Sequence, residues 1–197
     1  IYLNEDFEGG NFFFAHRNQS VQQTMRPKCG RLVGFESSDY HGVEALTKGR
    51  RCAVAMWYTL DPKYQETAHA AAHATLSALG NKDRSLKNPD LGPFLEQKGY
   101  SLTMTETELK GPERFTADSI LDDDTCQTLI QLANDGATVG DGYQTEGQSS
   151  PFTKDEKFVG LTVDRAAPLA TAGRVDIDAV RLYISKSEAA KQVVRRS

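Results

Sequence analysis

Ten residues, Arg51-Cys52-Ala53-Val54-Ala55-Met56-Trp57-Tyr58-Thr59-Leu60, constrain the fold of this chain more than any other stretch, because both alternating faces are apolar after the first position. A strand of that kind is covered on both sides, so the run predicts the centre of a sheet. Its odd-numbered face sets Arg51 beside Ala53 and Ala55, a long cation next to small side chains, which outlines a pocket with a charged floor.

The residues before it alternate short β-like runs with turn signals. Ile1 to Leu3 leads through Asn4-Glu5-Asp6 to the turn Phe7-Glu8-Gly9-Gly10-Asn11. Phe12-Phe13-Phe14 follows, then a polar stretch, the turn Pro27-Lys28-Cys29-Gly30 and the apolar run Arg31 to Phe35. Strands this short and this evenly spaced predict an antiparallel sandwich or barrel.

Beyond Asp61-Pro62 the character changes. Residues 64 to 80 are Ala-rich and predict a helix stopped by Gly80-Asn81. Residues 82 to 99 are polar, hold Pro89 and Pro93, and predict a linker. Arg114 to Ala117 predicts a strand. An acidic start at Asp122-Asp123-Asp124 leads into a helix with Cys126, Leu129, Ile130 and Ala133 on one face. A loop is expected from Gly140 to Pro151, a strand over 158–163 and a helix from Ile177 to Val194. The fold class expected is therefore α+β, mainly β with flanking helices.

Composition excludes several functions. At 39% hydrophobic and 25% charged residues, with a net charge of -4, the chain lacks the concentrated basic face that nucleic acid requires. No stretch approaches the roughly 18 apolar residues of a membrane span. Cys29, Cys52 and Cys126 allow at most one internal disulfide, whose pairing the sequence leaves open, and no zinc-type spacing occurs. The first residue, Ile1, lies in a strand-like run and the last residues in a helix-like one, so a fragment is expected.

The chemistry-bearing segment is His41-Gly42-Val43-Glu44-Ala45-Leu46-Thr47-Lys48-Gly49-Arg50-Arg51-Cys52, where a histidine is followed ten positions later by an arginine. Non-haem iron(II) oxygenases hold the metal by two histidines and a carboxylate. A buried guanidinium suits the far carboxylate of 2-oxoglutarate. On spacing alone the bland readings lead: a histidine followed at this distance by an arginine is common by chance, and an arginine such as Arg51 is more often a strand-end salt-bridge partner.

A longer correspondence favours the functional reading. Tyr2 to Phe12, Pro27 to Phe35, His41 to Cys52 and Ala53 to Pro62 together resemble the C-terminal half of the catalytic domain of the procollagen prolyl 3-hydroxylase (leprecan) family. The resemblance implies an incomplete double-stranded β-helix (jelly roll), with His41 as an iron ligand and Arg51 as the 2-oxoglutarate-binding residue. It implies Fe(II), 2-oxoglutarate and L-ascorbate as cofactors, and a procollagen-like polypeptide as substrate. It leaves room for chaperone or isomerase partners and implies the endoplasmic reticulum lumen. Such an enzyme hydroxylates prolyl C3 while 2-oxoglutarate is converted to succinate and carbon dioxide. Related prolyl or lysyl hydroxylases, which commonly carry lysine at the place of Arg51, and a non-catalytic collagen-binding chaperone or scaffold are the alternatives.

Leu109 to Arg114, Leu121 to Ala133, Gly140 to Tyr143, Ser149 to Thr153 and Glu156 to Val163 also resemble this family, but the part that precedes the first in an intact enzyme. Residues 1–66, 67–108 and 109–197 are accordingly expected to be a C-terminal half-domain, a helix with linker, and an N-terminal catalytic part. A tandem, permuted or misassembled parent accounts for the inverted order. The His-x-Asp motif that supplies the remaining metal ligands in that family occurs nowhere in this sequence.

Lesser candidates are His69 and His73, four apart on a helix and expected to be an exposed pair, and Asp39, expected to be a turn acceptor. Asp122 to Asp124 is expected to be a solvated helix start, and Gly9-Gly10-Asn11 a hairpin-type turn.

Overall fold

The computed structural model describes residues 1–58, 63, 67–78, 101–104, 109, 111, 113–139 and 159–194. Two compact units emerge. One comprises Ile1–Ala55, Gln97–Cys126 and Val193–Ser197, and the other Met56–Glu96 and Gln127–Gln192.

The first unit is built from antiparallel strands. β1 (Glu8–Gly9) and β2 (Phe12–Ala15) run alongside β5 (His41–Val43) and β6 (Leu46–Lys48), with Glu8 opposite Lys48 and Phe14 opposite His41. Between the two ladders Gly9 and Gly10 take φ of +74° and +66°, and a side chain on Gly9 would collide with the Ala45 carbonyl. Only glycine occupies that bend without strain. It is a kink that passes the chain from one sheet to the next, not the expected hairpin turn. β3 (Val21–Met25) pairs with the other side of β2.

β4 (Leu32–Gly34) belongs to a second three-stranded sheet, whose other members, β7 (Ser101–Met104) and β8 (Phe115–Asp118), come from late in the chain. Leu32 faces Ala117, and Gly34 faces Phe115, whose ring fills the space where a Gly34 side chain would stand. Asp118 fixes this junction by accepting from Arg31 Nε at 2.6 Å, Arg31 Nη2 at 2.8 Å and Lys28 Nζ at 3.3 Å. Those bonds, with Arg31 foremost, hold the Asp118 carboxyl below its ordinary value of 3.8. Phe12, Phe14, Met25, Tyr2 and Leu109 form the core, with Val33 and Phe35 against it.

The second unit contains α1 (Thr67–Ala78) and most of α2 (Asp123–Gly136), whose first residues belong to the first unit. It also holds β9 (Thr138–Val139), β10 (Val159–Gly160), α3 (Val163–Thr171) and all but the last two residues of α4 (Ile177–Val194). α1 packs on α3, with Ala72 and Leu76 of α1 and Ala166, Ala167 and Ala170 of α3 buried. Gly173 (φ +67°) ends α3 beyond Ala172 in the left-handed conformation common at helix C-termini.

The mixed α+β class holds: antiparallel sheets accompany four helices among the described residues. Those residues show no closed barrel. The helices expected at 64–80, after Asp122 and from Ile177 are present as α1, α2 and α4 within their described residues. The expected linker (82–99) and the loop from Gly140 lie outside the described residues, as does Gly80.

Two expectations fail. The doubly covered central strand expected from Arg51 is absent from the described part of that run, 51–58. Tyr2 and Ala53 form one isolated bridge, Ala53 and Ala55 are exposed, and Trp57 is 76% exposed. Apolar faces make a central strand only where a ladder exists on both edges, and among the described residues the backbone of 52–54 pairs with that of 1–3 alone, through Leu3 N–H to Cys52 O and Val54 N–H to Ile1 O. The strand over 158–163 shrinks to Val159–Gly160, because Val163 already begins a helix that carries Asp164 in its first turn and three buried alanines. Pro168 inside that helix disguises it in the sequence.

Asp118→Ala should lower the unfolding free energy of the first unit by about 2–3 kcal/mol in urea titration, since it strips partners from a half-buried guanidinium. Lys48→Ala, in the exposed pair with Glu8, should change it by less than about 1 kcal/mol. Because the Asp118 carboxyl titrates lower in the folded state than in the unfolded one, its contribution is complete above 3.8. That contribution disappears only as pH falls through the depressed folded value.

Candidate functional site

His41 opens β5 directly across from Phe14, so in an antiparallel pair their side chains share a face. The imidazole lies over this aromatic floor, its ring centre 5.6 Å from that of Phe12 at 15° and 4.5 Å from that of Phe35 at 55°. Its Nδ1 lies 2.8 Å from the backbone oxygen of Asp39. A carbonyl only accepts, so Nδ1 carries a proton, and in the neutral ring the lone pair lies on Nε2. Histidine ligands are commonly oriented in this way, with one ring nitrogen donating to a carbonyl while the other faces the metal. His41 is an exposed residue.

Asp39 is itself held. Arg114 donates from Nε to Asp39 Oδ2 at 2.9 Å and from Nη2 to Oδ1 at 2.7 Å, a two-pronged pairing. Its Nη1 reaches Gln22 Oε1 at 2.8 Å and the Leu109 carbonyl at 3.0 Å. The guanidinium carbon sits 4.0 Å from the centre of the Phe14 ring, and the residue is only 5% exposed. A desolvated cation stacked on an aromatic face and bonded to a carboxylate is both stabilised and rigid. The Asp39 carboxylate is thus taken up by Arg114 and is neither a local turn acceptor nor available to a metal.

Arg51 stands at the Tyr2 end of the same core. Burial pushes the Tyr2 hydroxyl above its ordinary range, and the neighbouring Arg51 guanidinium pulls it back. Tyr2 and Phe12 belong to one cluster, so a single aromatic core backs both His41 and Arg51. Asn4 anchors the adjoining backbone by donating to Arg50 O at 2.7 Å and accepting from Cys52 N–H at 2.8 Å.

The remaining candidates are structural. Asp122 Oδ1 accepts from Thr125 N–H at 2.8 Å and caps α2. His73 is half-buried on α1 with the Ser77 hydroxyl 3.5 Å from Nδ1, while the His69 side chain lies outside the described residues. Among the described residues no group of three His, Cys, Asp or Glu side chains could hold a metal ion. Among the described residues His41 is joined by no such set of candidate metal ligands.

Tyr2, Phe35 and Arg114 complete the surroundings of the pair and were not legible as such. Arg114 meets Asp39 across 75 positions of sequence, and nothing local to Leu109-Lys110-Gly111-Pro112-Glu113-Arg114 announces it.

Comparison with known proteins gives the class first. Residues 1–59 match the model of the 2OG-Fe(II) oxygenase superfamily. Within that class the similarity is to prolyl 3-hydroxylases. Human prolyl 3-hydroxylase 2 is 41% identical over 96 residues, 47% of this chain and 14% of that protein. Human prolyl 3-hydroxylase 1 is 51% identical over 82 residues, 40% of this chain and 11% of that protein. The mouse prolyl 3-hydroxylase 1 is 43% identical over 102 residues, 50% of this chain and 14% of that protein. Residues 1–59 are thus similar to part of a 2OG-Fe(II) oxygenase, and the chain spans about one seventh of the length of these relatives. No solved structure matches it.

Replacing Arg114 by Ala should cost about 3–5 kcal/mol of unfolding free energy, because it leaves the Asp39 carboxylate and the Leu109 carbonyl without their partner. In a long-range proton–nitrogen spectrum the His41 ring should change from the Nδ1-protonated form to a mixture of tautomers. A spectrum unchanged by the substitution would mean that the Arg114–Asp39 pair does not orient the ring.

Proposed function

We propose that this chain is part of an iron(II)- and 2-oxoglutarate-dependent dioxygenase that hydroxylates prolyl residues at C3 in procollagen-like polypeptides, with His41 as one iron ligand and Arg51 as the anchor of the 2-oxoglutarate carboxylate. The observation that carries the proposal is the oxygenase match over residues 1–59, which contains both residues. The local geometry supports it: His41 Nδ1 bonded to Asp39 O leaves Nε2 for a metal, and Arg51 lies beside a buried hydroxyl on the same core. The antiparallel run of β1–β2 against β5–β6 suits part of a double-stranded β-helix.

Bound iron and 2-oxoglutarate would supply the oxidising chemistry. This chain's residues bind and orient. His41 offers a neutral nitrogen held in one tautomer, and Arg51 a cation that pairs with a carboxylate through two parallel hydrogen bonds. Phe12 and Phe35 wall the histidine with apolar surface. L-Ascorbate as a reductant, residence in the endoplasmic reticulum lumen and chaperone or isomerase partners are part of the same proposal and rest on the family resemblance. The pairing of β4 with β8 favours a reading in which residues 109–126 complete the module begun by residues 1–55.

A non-catalytic collagen-binding scaffold is the rival, and retention of both His41 and Arg51 speaks against it. The test uses a parent protein that supplies a His-x-Asp segment, assayed for succinate formation with a Pro-Pro-Gly type peptide, iron and ascorbate. His41→Ala should abolish turnover. Arg51→Ala should raise the 2-oxoglutarate KM by roughly ten- to a hundredfold, as expected for loss of a charge-assisted pair. Activity surviving His41→Ala would remove the ligand assignment, and no turnover by the unaltered parent would remove the enzyme reading. The 197-residue chain by itself should bind Fe(II) weakly and hydroxylate nothing.

A further inference from the structure

The turn Pro27 to Gly30 and the start of α2 press against each other within the first unit. Gly30 O accepts from Ile120 N–H at 3.0 Å, and a side chain on Gly30 (φ +74°) would collide with the Leu121 carbonyl. This approach brings two thiols together. Both are free thiols in the structure, and Cys29 has the Cys126 thiol and the Asp123 carboxylate among its electrostatic neighbours, two residues three apart on the first turn of α2 and so on one face. Cys126 is fully buried and Cys29 partly so. Cys52 is elsewhere, with Arg50 and Asp6 as its charged neighbours.

We propose that Cys29 and Cys126 form a disulfide bond that ties residues 1–55 to residues 97–126, leaving Cys52 as the free thiol. The two thiols give up two protons and two electrons as one S–S bond forms. A low-molecular-weight disulfide such as oxidised glutathione accepts them, its own S–S bond being cleaved to two thiols through a mixed disulfide. A crosslink between positions so distant in sequence restricts the unfolded chain strongly. It holds in place the junction that β4 and β8 make through Leu32 and Ala117, and Arg31 and Asp118 through their ion pair.

The surroundings also set the character of the bond. Burial pushes both thiols above their ordinary range, and at Cys29 the neighbouring Cys126 thiol and Asp123 carboxylate push further. Little thiolate is present near neutral pH, so exchange is slow once the unit is folded. The pair is therefore a structural crosslink made during folding and not a fast redox sensor. This inference is independent of the assignment of His41 and Arg51.

The test is to refold the full 197-residue chain from urea in a glutathione redox buffer, alkylate free thiols, digest without reduction and map the peptides by mass spectrometry. A crosslinked peptide containing Cys29 and Cys126, with Cys52 alkylated, is expected. Dithiothreitol should then lower the Tm by roughly 10 °C or more. Cys52→Ser should preserve both the crosslink and the thiol-dependent shift, and Cys29→Ser, at a partly exposed position, should remove both. Alkylation of all three cysteines after refolding, or a crosslink through Cys52, would overturn the assignment.

Discussion

The first unit depends on one buried cation. Arg114 is withdrawn from water, and its guanidinium is accommodated by the Asp39 carboxylate, the Gln22 amide oxygen, the Leu109 carbonyl and the Phe14 ring. These partners come from β3, from the turn before β5, from the segment leading to β8 and from the central strand β2, so one side chain fixes four parts of the unit. Desolvating a cation is costly, and the arrangement persists because its polar groups are matched by good geometry. The consequence reaches function through Asp39, whose carboxylate is gripped by Arg114 while its backbone oxygen orients His41.

A second tie has the same logic. Asp118, at the end of β8, gathers Arg31 and Lys28 from around β4, so the late segment is docked by a strand ladder and by charge at once. The two docking points lie at opposite ends of β8, Arg114 just before it and Asp118 closing it. That placement fixes the register of β8 against β4, in which Gly34 makes room for the Phe115 ring. A shift by one residue would turn the Phe115 ring away from that gap.

Local chemistry made part of this legible. The aromatic run of β2, the short apolar β4 and the acidic start of α2 each carry their own signal, and the oxygenase resemblance through His41 and Arg51 agrees with the match over residues 1–59. β3 carries no such signal. Val21-Gln22-Gln23-Thr24-Met25 is an edge strand in which Met25 alone is buried and three of the five side chains are polar, so it reads as polar coil. The run from Arg51 misleads for the opposite reason: its composition suits a central strand, yet the described residues supply a partner for one edge alone. Arg114 is hidden because its partners are far away in sequence, and Tyr2 because a tyrosine near a strand-like run has no distinguishing mark before its hydroxyl is seen beside Arg51.

The account turns on residues 1–55 and 97–126 forming one cooperative body around Arg114. Native-state hydrogen exchange tests this most directly, since segments that open together share one opening free energy and one dependence on denaturant. The amides of Phe13 and Phe14 in β2, Val33 in β4 and Thr116 and Ala117 in β8 should converge on a single value as urea is added. If the β8 amides exchanged at unprotected rates while those of β2 stayed protected, the late segment would not belong to the unit, and the clamp that orients His41 would be lost with it.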